Sequence, residues 1–190
     1  MLVAPVIERT PMEGFTWVVN EVHDRYPSLA ATIEMRKANY FLKNKEYDEA
    51  IALFKSFERD NFLTVNPSTA ATAAVNLSFI YYLEGDLTTA EKYADMAVNN
   101  DRYQASALVN KGVMCALRDD HERAKELFLE AVGVEADCLM AIHNLGLINK
   151  RLGRFEEAYQ AFDKLASIGL KKNNTKLINF RSPSKQFVFS

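Results

Sequence analysis

Reactive chemistry is what this sequence is short of. Its 190 residues include two cysteines, Cys115 and Cys138, whose spacing fits neither a disulfide framework nor a metal knuckle. Both read as free thiols of a reducing compartment. The histidines, His23, His121 and His143, stand far apart, and none has ligand spacing to another His, Cys or carboxylate. No cofactor or metal is expected. G-x-S-x-G, P-loop, H-E-x-x-H and C-x-x-C motifs are all missing, so the expectation is a protein that is not an enzyme and takes no small-molecule substrate. Neither sign of charge prevails: 23 basic residues stand against 25 acidic ones. That balance leaves no electrostatic footprint for nucleic acid or an anionic membrane. The pairs Arg36-Lys37 and Lys150-Arg151 read as solvated helix surface. No apolar run approaches the roughly 20 residues that span a bilayer. MLVAPVIERT has neither the apolar core nor the cleavage site of a signal peptide, and a cytosolic chain without membrane insertion is expected.

What the sequence does have is a period. Ala90, Ala124 and Ala158 are 34 residues apart, each inside a similar phrase: GDLTTAEKYADMAV, DDHERAKELFLEAV and GRFEEAYQAFDKL. A fixed step of that size marks a helix–turn–helix array, whose single unit cannot bury its own apolar face. With each alanine at position 20, units begin at Ala71, Ala105 and Leu139. Position 8, where two helices cross closely, holds Ser78, Gly112 and Gly146. Position 24 holds Ala94, Phe128 and Phe162, and position 27 holds Ala97, Ala131 and Leu165. Gly85-Asp86, Asp119-Asp120 and Gly153-Arg154 provide the turns. A further unit lies upstream, with Ala38 at position 8, Phe41 at position 11, Tyr47 in the turn, Ala50 at position 20 and Phe54 at position 24. The step from Ala50 to Ala90 is 40 residues, and the excess falls in NFLTVNPST. There Pro67 and Ser68 end one helix and begin the next.

This spelling resembles the tetratricopeptide pattern. It implies an all-α superhelix, or solenoid, of four repeats over residues 28–170, at about 31–64, 71–104, 105–138 and 139–170. Cys115 falls at position 11, where the pattern wants a buried apolar residue. Residues 1–27 form an N-terminal segment in which GFTWVVNEVHDRY reads as one helix of a partial repeat, with Trp17, Val18 and Val22 on its buried side. Residues 171–190, KKNNTKLINFRSPSKQFVFS, form a basic tail without the repeat grammar. Neither end supplies a polar capping unit, so a fragment of a longer array is expected.

The binding site is expected on the first helices, lining a concave groove. Position 6 is asparagine three times, at Asn76, Asn110 and Asn144. A carboxamide can pair with both groups of a peptide backbone, so this ladder suits an extended bound segment. The other reading is that each asparagine bridges to its own neighbours. Apolar residues flank the ladder: Val75 and Val109 at position 5, Phe79, Val113 and Leu147 at position 9, and Tyr82 at position 12. The helix TAATAAVNLSFIYYL is apolar nearly all round, which calls for a partner on its free face. A carboxylate clamp of the co-chaperone kind needs three cations, and its places hold Met35, Asn39, Asn76, Ser106 and Asn110. The asparagines are there and the cations are not.

Some stretches say more than a generic repeat requires. NLSFIYYLEGDLTTAEKYADMAVNNDRYQASALVNKG resembles the polaris family, the tetratricopeptide subunits of intraflagellar transport complex B. PVIERTPMEGFTWVV and EADCLMAIHNLGL resemble it too, over roughly residues 3–168. The resemblance implies a non-enzymatic scaffold for cilium or flagellum assembly and cargo transport. Its partners would be other intraflagellar transport complex B subunits, and its location the cilium or flagellum, basal body and cytoplasm. Two alternatives stand beside it: a repeat domain presenting peptides to an appended, glycosyltransferase-like enzyme, and a generic cytosolic adaptor.

Overall fold

The computed structural model describes residues 11–59 and 66–171. Among them run nine helices and no strand: α1 (Pro11–His23), α2 (Pro27–Lys43), α3 (Tyr47–Arg59), α4 (Pro67–Glu84), α5 (Leu87–Asn100), α6 (Ala105–Leu117), α7 (His121–Val134), α8 (Leu139–Arg151) and α9 (Phe155–Lys171). Each helix packs on its chain neighbours, and the first helices also touch one another, α2 on α4, α4 on α6 and α6 on α8. The result is an all-α superhelix of stacked helix pairs.

Turn chemistry sets the period. Position 15 of every pair is left-handed: Lys45 at φ 64°, Gly85 at 87°, Asp119 at 62° and Gly153 at 74°. A left-handed residue just past a helix lets its N–H and the next one reach back to orphaned carbonyls. Gly85 N donates to Tyr82 O at 3.2 Å and Asp86 N to Tyr81 O at 3.0 Å. The following aspartates cap the second helices. Asp86 accepts from Thr89 N at 3.0 Å and Asp120 from Arg123 N at 3.2 Å, satisfying donors that the first turn leaves free. The two Thr89 hydrogen bonds hold the Asp86 carboxyl below its usual range.

Small residues let the helices close. Ala50, Ala90 and Ala124 at position 20 have no exposed surface, and Ala158 has 5%. A side-chain carbon built at Gly112 would stand 2.6 Å from the Phe128 ring, and one at Gly146 would stand 2.7 Å from the Phe162 ring. Where position 24 shrinks to Ala94, position 8 enlarges to Ser78, and both are fully buried.

The six-residue excess lies largely outside the described residues, but its exit is clear. Asn66 caps α4 by accepting from Ser68 N at 3.1 Å, and Pro67 takes the first helical position, where its missing N–H costs nothing. Lys55 of α3 stands 5.5 Å from the centre of the Tyr81 ring, which stacks on Tyr93 at 5.6 Å and 3°. The Tyr93 hydroxyl bonds Glu58 of α3, and burial together with that carboxylate pushes its phenol strongly upward. A cation over a ring contributes roughly 0.5–1 kcal/mol at such a site. These contacts hold α3 to the α4–α5 pair.

At the N-terminal end one expectation is corrected. Trp17 is 47% exposed. Helix α1 faces α2 through Gly14, Phe15, Val18 and Val22, with Phe15 at 6.4 Å from the Tyr40 ring. Trp17 lies off that stripe, and among the described residues no helix covers its side. The tail beyond Lys171 lies outside the described residues.

Candidate partner-binding face

The position-6 asparagines sit where the first helices meet. Asn110 has no exposed surface, and its Nδ2 donates to the Val75 carbonyl of α4 at 3.0 Å. That carbonyl already serves its own helix, and its second lone pair takes the extra donor. Asn76 Nδ2 donates to Asn39 Oδ1 of α2 at 3.2 Å. Gln104 Nε2 reaches Thr72 Oγ1 at 3.0 Å, adding a second tie between α6 and α4. Asn144 is fully buried and hydrogen-bonded to its neighbour His143. Asn76 and Asn110 thus bridge to a neighbouring first helix, and Asn144 bonds within α8. Asn110 and Asn144 do not face an open groove, and Asn76 is half-buried.

The apolar residues divide. Val75, Val109 and Val113 were expected to line the groove, yet they are 4%, 0% and 0% exposed. Neighbouring first helices pack directly on α4, which carries Val75, and on α6, which carries Val109 and Val113. The same contact explains why α4 is apolar all round: α2, α3, α5 and α6 enclose it, so its composition requires no outside partner. Phe79, Tyr82 and Leu147 remain half-exposed, and burial raises the Tyr82 phenol above its usual range. Accessible apolar surface is therefore two shoulders, Phe79 with Tyr82 on α4 and Leu147 on α8, on either side of a recessed α6. His143 is half-buried beside the second shoulder and meets Phe162 edge-on at 6.2 Å. Burial lowers its imidazole pKa.

One feature on another edge had no separate signal in the sequence. A cleft of about 210 Å³ between α5 and α6 is lined by Leu87, Thr88, Glu91, Met114, Leu117 and Arg118. Leu87 and Leu117 are 46% and 38% exposed, and an Arg118–Glu91 ion pair closes one side. Leu87 stands at position 17, where Tyr47, His121 and Phe155 stand in other units.

Among the described residues no cluster of His, Cys, Asp or Glu is placed to hold a metal. No described helix is long and apolar enough to cross a membrane. Burial raises both thiols, Cys115 and Cys138, which makes them poor nucleophiles at neutral pH.

Models of the tetratricopeptide repeat match residues 35–107 and residues 141–168, together just over half of the chain. The chain belongs to the tetratricopeptide-repeat family. Tetratricopeptide arrays bind protein partners, and this one is a protein-interaction scaffold. Over 103 residues it is 39% identical to human intraflagellar transport protein 88 homolog, an alignment spanning 54% of this chain and 12% of that protein. It is 25% identical to human tetratricopeptide repeat protein 21A over 161 residues, which is 85% of this chain and 11% of that protein. The chain thus spans about an eighth of the length of these relatives. Two solved structures share the fold. BtubC from P. vanneervenii superposes with a TM-score of 0.68 at 21% identity, over 95% of this chain and 80% of that one. MamA from Desulfovibrio magneticus RS-1 gives 0.60 at 14% identity, over 90% and 91%.

Proposed function

We propose that this repeat array is a non-enzymatic scaffold within intraflagellar transport complex B, serving cilium or flagellum assembly and cargo transport. The observation that carries the reading is the 39% identity over 103 residues to a protein named for intraflagellar transport. Residue spelling supports it: YADMAVNNDRY followed by ALVNKG exceeds what a repeat needs to fold. Partner contact is assigned to the accessible shoulders, Phe79 and Tyr82 on one side and Leu147 with His143 on the other. The partners are other complex B subunits, and the chain works at the cilium or flagellum, its basal body and the adjoining cytoplasm.

The test is expression of the tagged chain in ciliated cells, followed by co-purification and imaging. Complex B subunits should co-purify, and the tag should concentrate at basal bodies and along the axoneme. Leu147→Glu, at a partly exposed position, should weaken both while leaving the helical circular dichroism intact. Diffuse distribution, with no complex B subunit recovered from cells that build normal cilia, would sink the proposal.

A further inference from the structure

We infer that the cleft between α5 and α6 docks a basic segment of a partner protein, which inserts one aliphatic or aromatic side chain between Leu87 and Leu117. The cleft lies inside the array, with α4 packed on α5 and α7 packed on α6, so neither end of the chain opens it. Met114, one of its lining residues, is buried, whereas Leu87 and Leu117 keep 46% and 38% of their surface exposed. Neither leucine is part of the core. A volume of about 210 Å³ falls short of the roughly 300–1,000 Å³ of small-molecule sites. It suits a single side chain, the way an interface anchor fills a pocket.

Charge identifies the occupant. The stretches 84–91 and 117–122, which supply most of the lining, hold six carboxylates, Glu84, Asp86, Glu91, Asp119, Asp120 and Glu122, against one guanidinium, Arg118. Arg118 pairs with Glu91. Cations farther out are engaged elsewhere, Arg123 with Glu126 and Lys92 over the Tyr93 ring. Arg154 takes Glu122, and Glu84 and Asp119 stay exposed. An apolar side chain flanked by Lys or Arg therefore meets both the leucines and a surplus of negative charge. Between α7 and α8 the corresponding places carry Lys125 for Glu91 and Arg151 for Leu117. A basic segment is repelled there, so it is directed to the α5–α6 cleft alone of the two. Residues 171–190 are basic too, but Lys176, Leu177 and Ile178 follow Lys171 by seven residues or fewer, ~25 Å at full extension. Retracing the 17 residues of α9 takes about 25 Å by itself, and the cleft lies two units farther back. The site stands apart from Phe79, Tyr82 and Leu147, and it does not rest on the transport reading.

The probe is a phage-displayed library of random peptides, depleted on the Leu87→Ser with Leu117→Ser variant and then panned on the full 190-residue chain. Selected peptides should carry an aliphatic or aromatic residue beside Lys or Arg. Made with a fluorophore, they should bind saturably, and less so as salt rises. Binding should weaken tenfold or more with the leucine variant, and likewise with Glu84→Lys with Asp119→Lys. Leu147→Ser, on the separate shoulder, should leave it unchanged. All four substituted cleft residues are exposed, and Lys45 already occupies the left-handed turn position that Asp119 holds. Both variants should therefore keep the parent's circular dichroism and melting temperature. Recovery of no saturable peptide, of peptides without basic residues, or of binding indifferent to the charge reversal overturns the inference. So does binding that emerges only once Phe180, Phe187 and Phe189 are changed to serine, because the chain's own tail would then be the occupant. A dimer in sedimentation that Leu87→Ser with Leu117→Ser dissociates overturns it as well.

Discussion

Gly112 and Phe128 meet where no side-chain carbon would fit on the glycine, and the energy of that crossing can be measured cleanly. A side-chain carbon at Gly112 would lie 2.6, 2.9 and 3.1 Å from three carbons of the Phe128 ring. Non-bonded carbons prefer about 3.5–4.0 Å, and the ring, wholly buried, has no free space to enter. Overpacking of this kind costs about 1–3 kcal/mol. Gly→Ala inside a helix returns about 1 kcal/mol through backbone propensity. Gly133 of α7 separates the two, because nothing lies within 4 Å of a carbon built there. Gly133→Ala should stabilise by up to about 1 kcal/mol. Gly112→Ala should lie about 1–3 kcal/mol below it.

A double-mutant cycle completes the test. Phe128→Ala alone should cost about 3–5 kcal/mol. In that background Gly112→Ala should become stabilising, as at Gly133, giving a coupling of about 1–3 kcal/mol. Urea denaturation followed by circular dichroism is the assay. In a chain of this length each kcal/mol moves the melting temperature by about 2–4 °C. The reasoning fails if Gly112→Ala stabilises as much as Gly133→Ala, or if the cycle is additive. Gly146→Ala should cost less than Gly112→Ala, since Phe162 is half-exposed at the end of the array and its ring can swing aside.

Other expectations follow from the same geometry. Asn110→Ala removes the α6–α4 tie and should cost about 0.5–1.5 kcal/mol for the hydrogen bond, while Asn110→Asp, which buries a charge, should cost distinctly more by the same denaturation assay. Asp119→Gly should stabilise and Gly85→Ala destabilise, each by about 1 kcal/mol, because both positions are left-handed. Burial holds the His143 pKa below its free value, so as pH falls past the ordinary histidine range of about 6.5 the unfolded chain takes the proton first. Stability should therefore decline with acidification through that range. His143→Val, the residue type of Val75 and Val109, should flatten the decline in melts recorded across pH.

The fold was legible because a repeat states its rules several times over. Ala90, Ala124 and Ala158 set the period, and Gly112 and Gly146 marked the close crossings. Gly85 and Gly153 marked two of the left-handed turns. Lys45 and Asp119 occupy the same turn position without announcing it, since only glycine advertises a positive φ. The site was less legible. Periodicity assigned Val75, Val109 and Val113 to a partner-binding groove, and the structure buries them. How deeply an inner face is buried depends on how closely successive first helices approach, and that is a property of the superhelix rather than of any one unit. Trp17 was misplaced for a related reason. A single helix shows an apolar stripe, but its neighbours decide which edge of the stripe they cover.

This division bears on where specificity resides. The position-6 asparagines are shared by three units, and the resolved bonds of Asn76 and Asn110 run to neighbouring first helices. Being engaged, they offer a partner little, and being identical they could not tell it which unit it had reached. Positions 5 and 9 instead differ from unit to unit, and of their residues Phe79, His143 and Leu147 are partly exposed while the valines are buried. Position 5 runs Val75, Val109, His143, and position 9 runs Phe79, Val113, Leu147. A partner that recognises this face reads those differences against a constant frame. It follows that Asn110→Ala should lower stability and weaken binding only as far as folding is lost. Leu147→Ser, partly exposed, should do the reverse, leaving the melt nearly unchanged while releasing the partner, whereas Phe79→Ser should also lower the melt because Phe79 packs against the core.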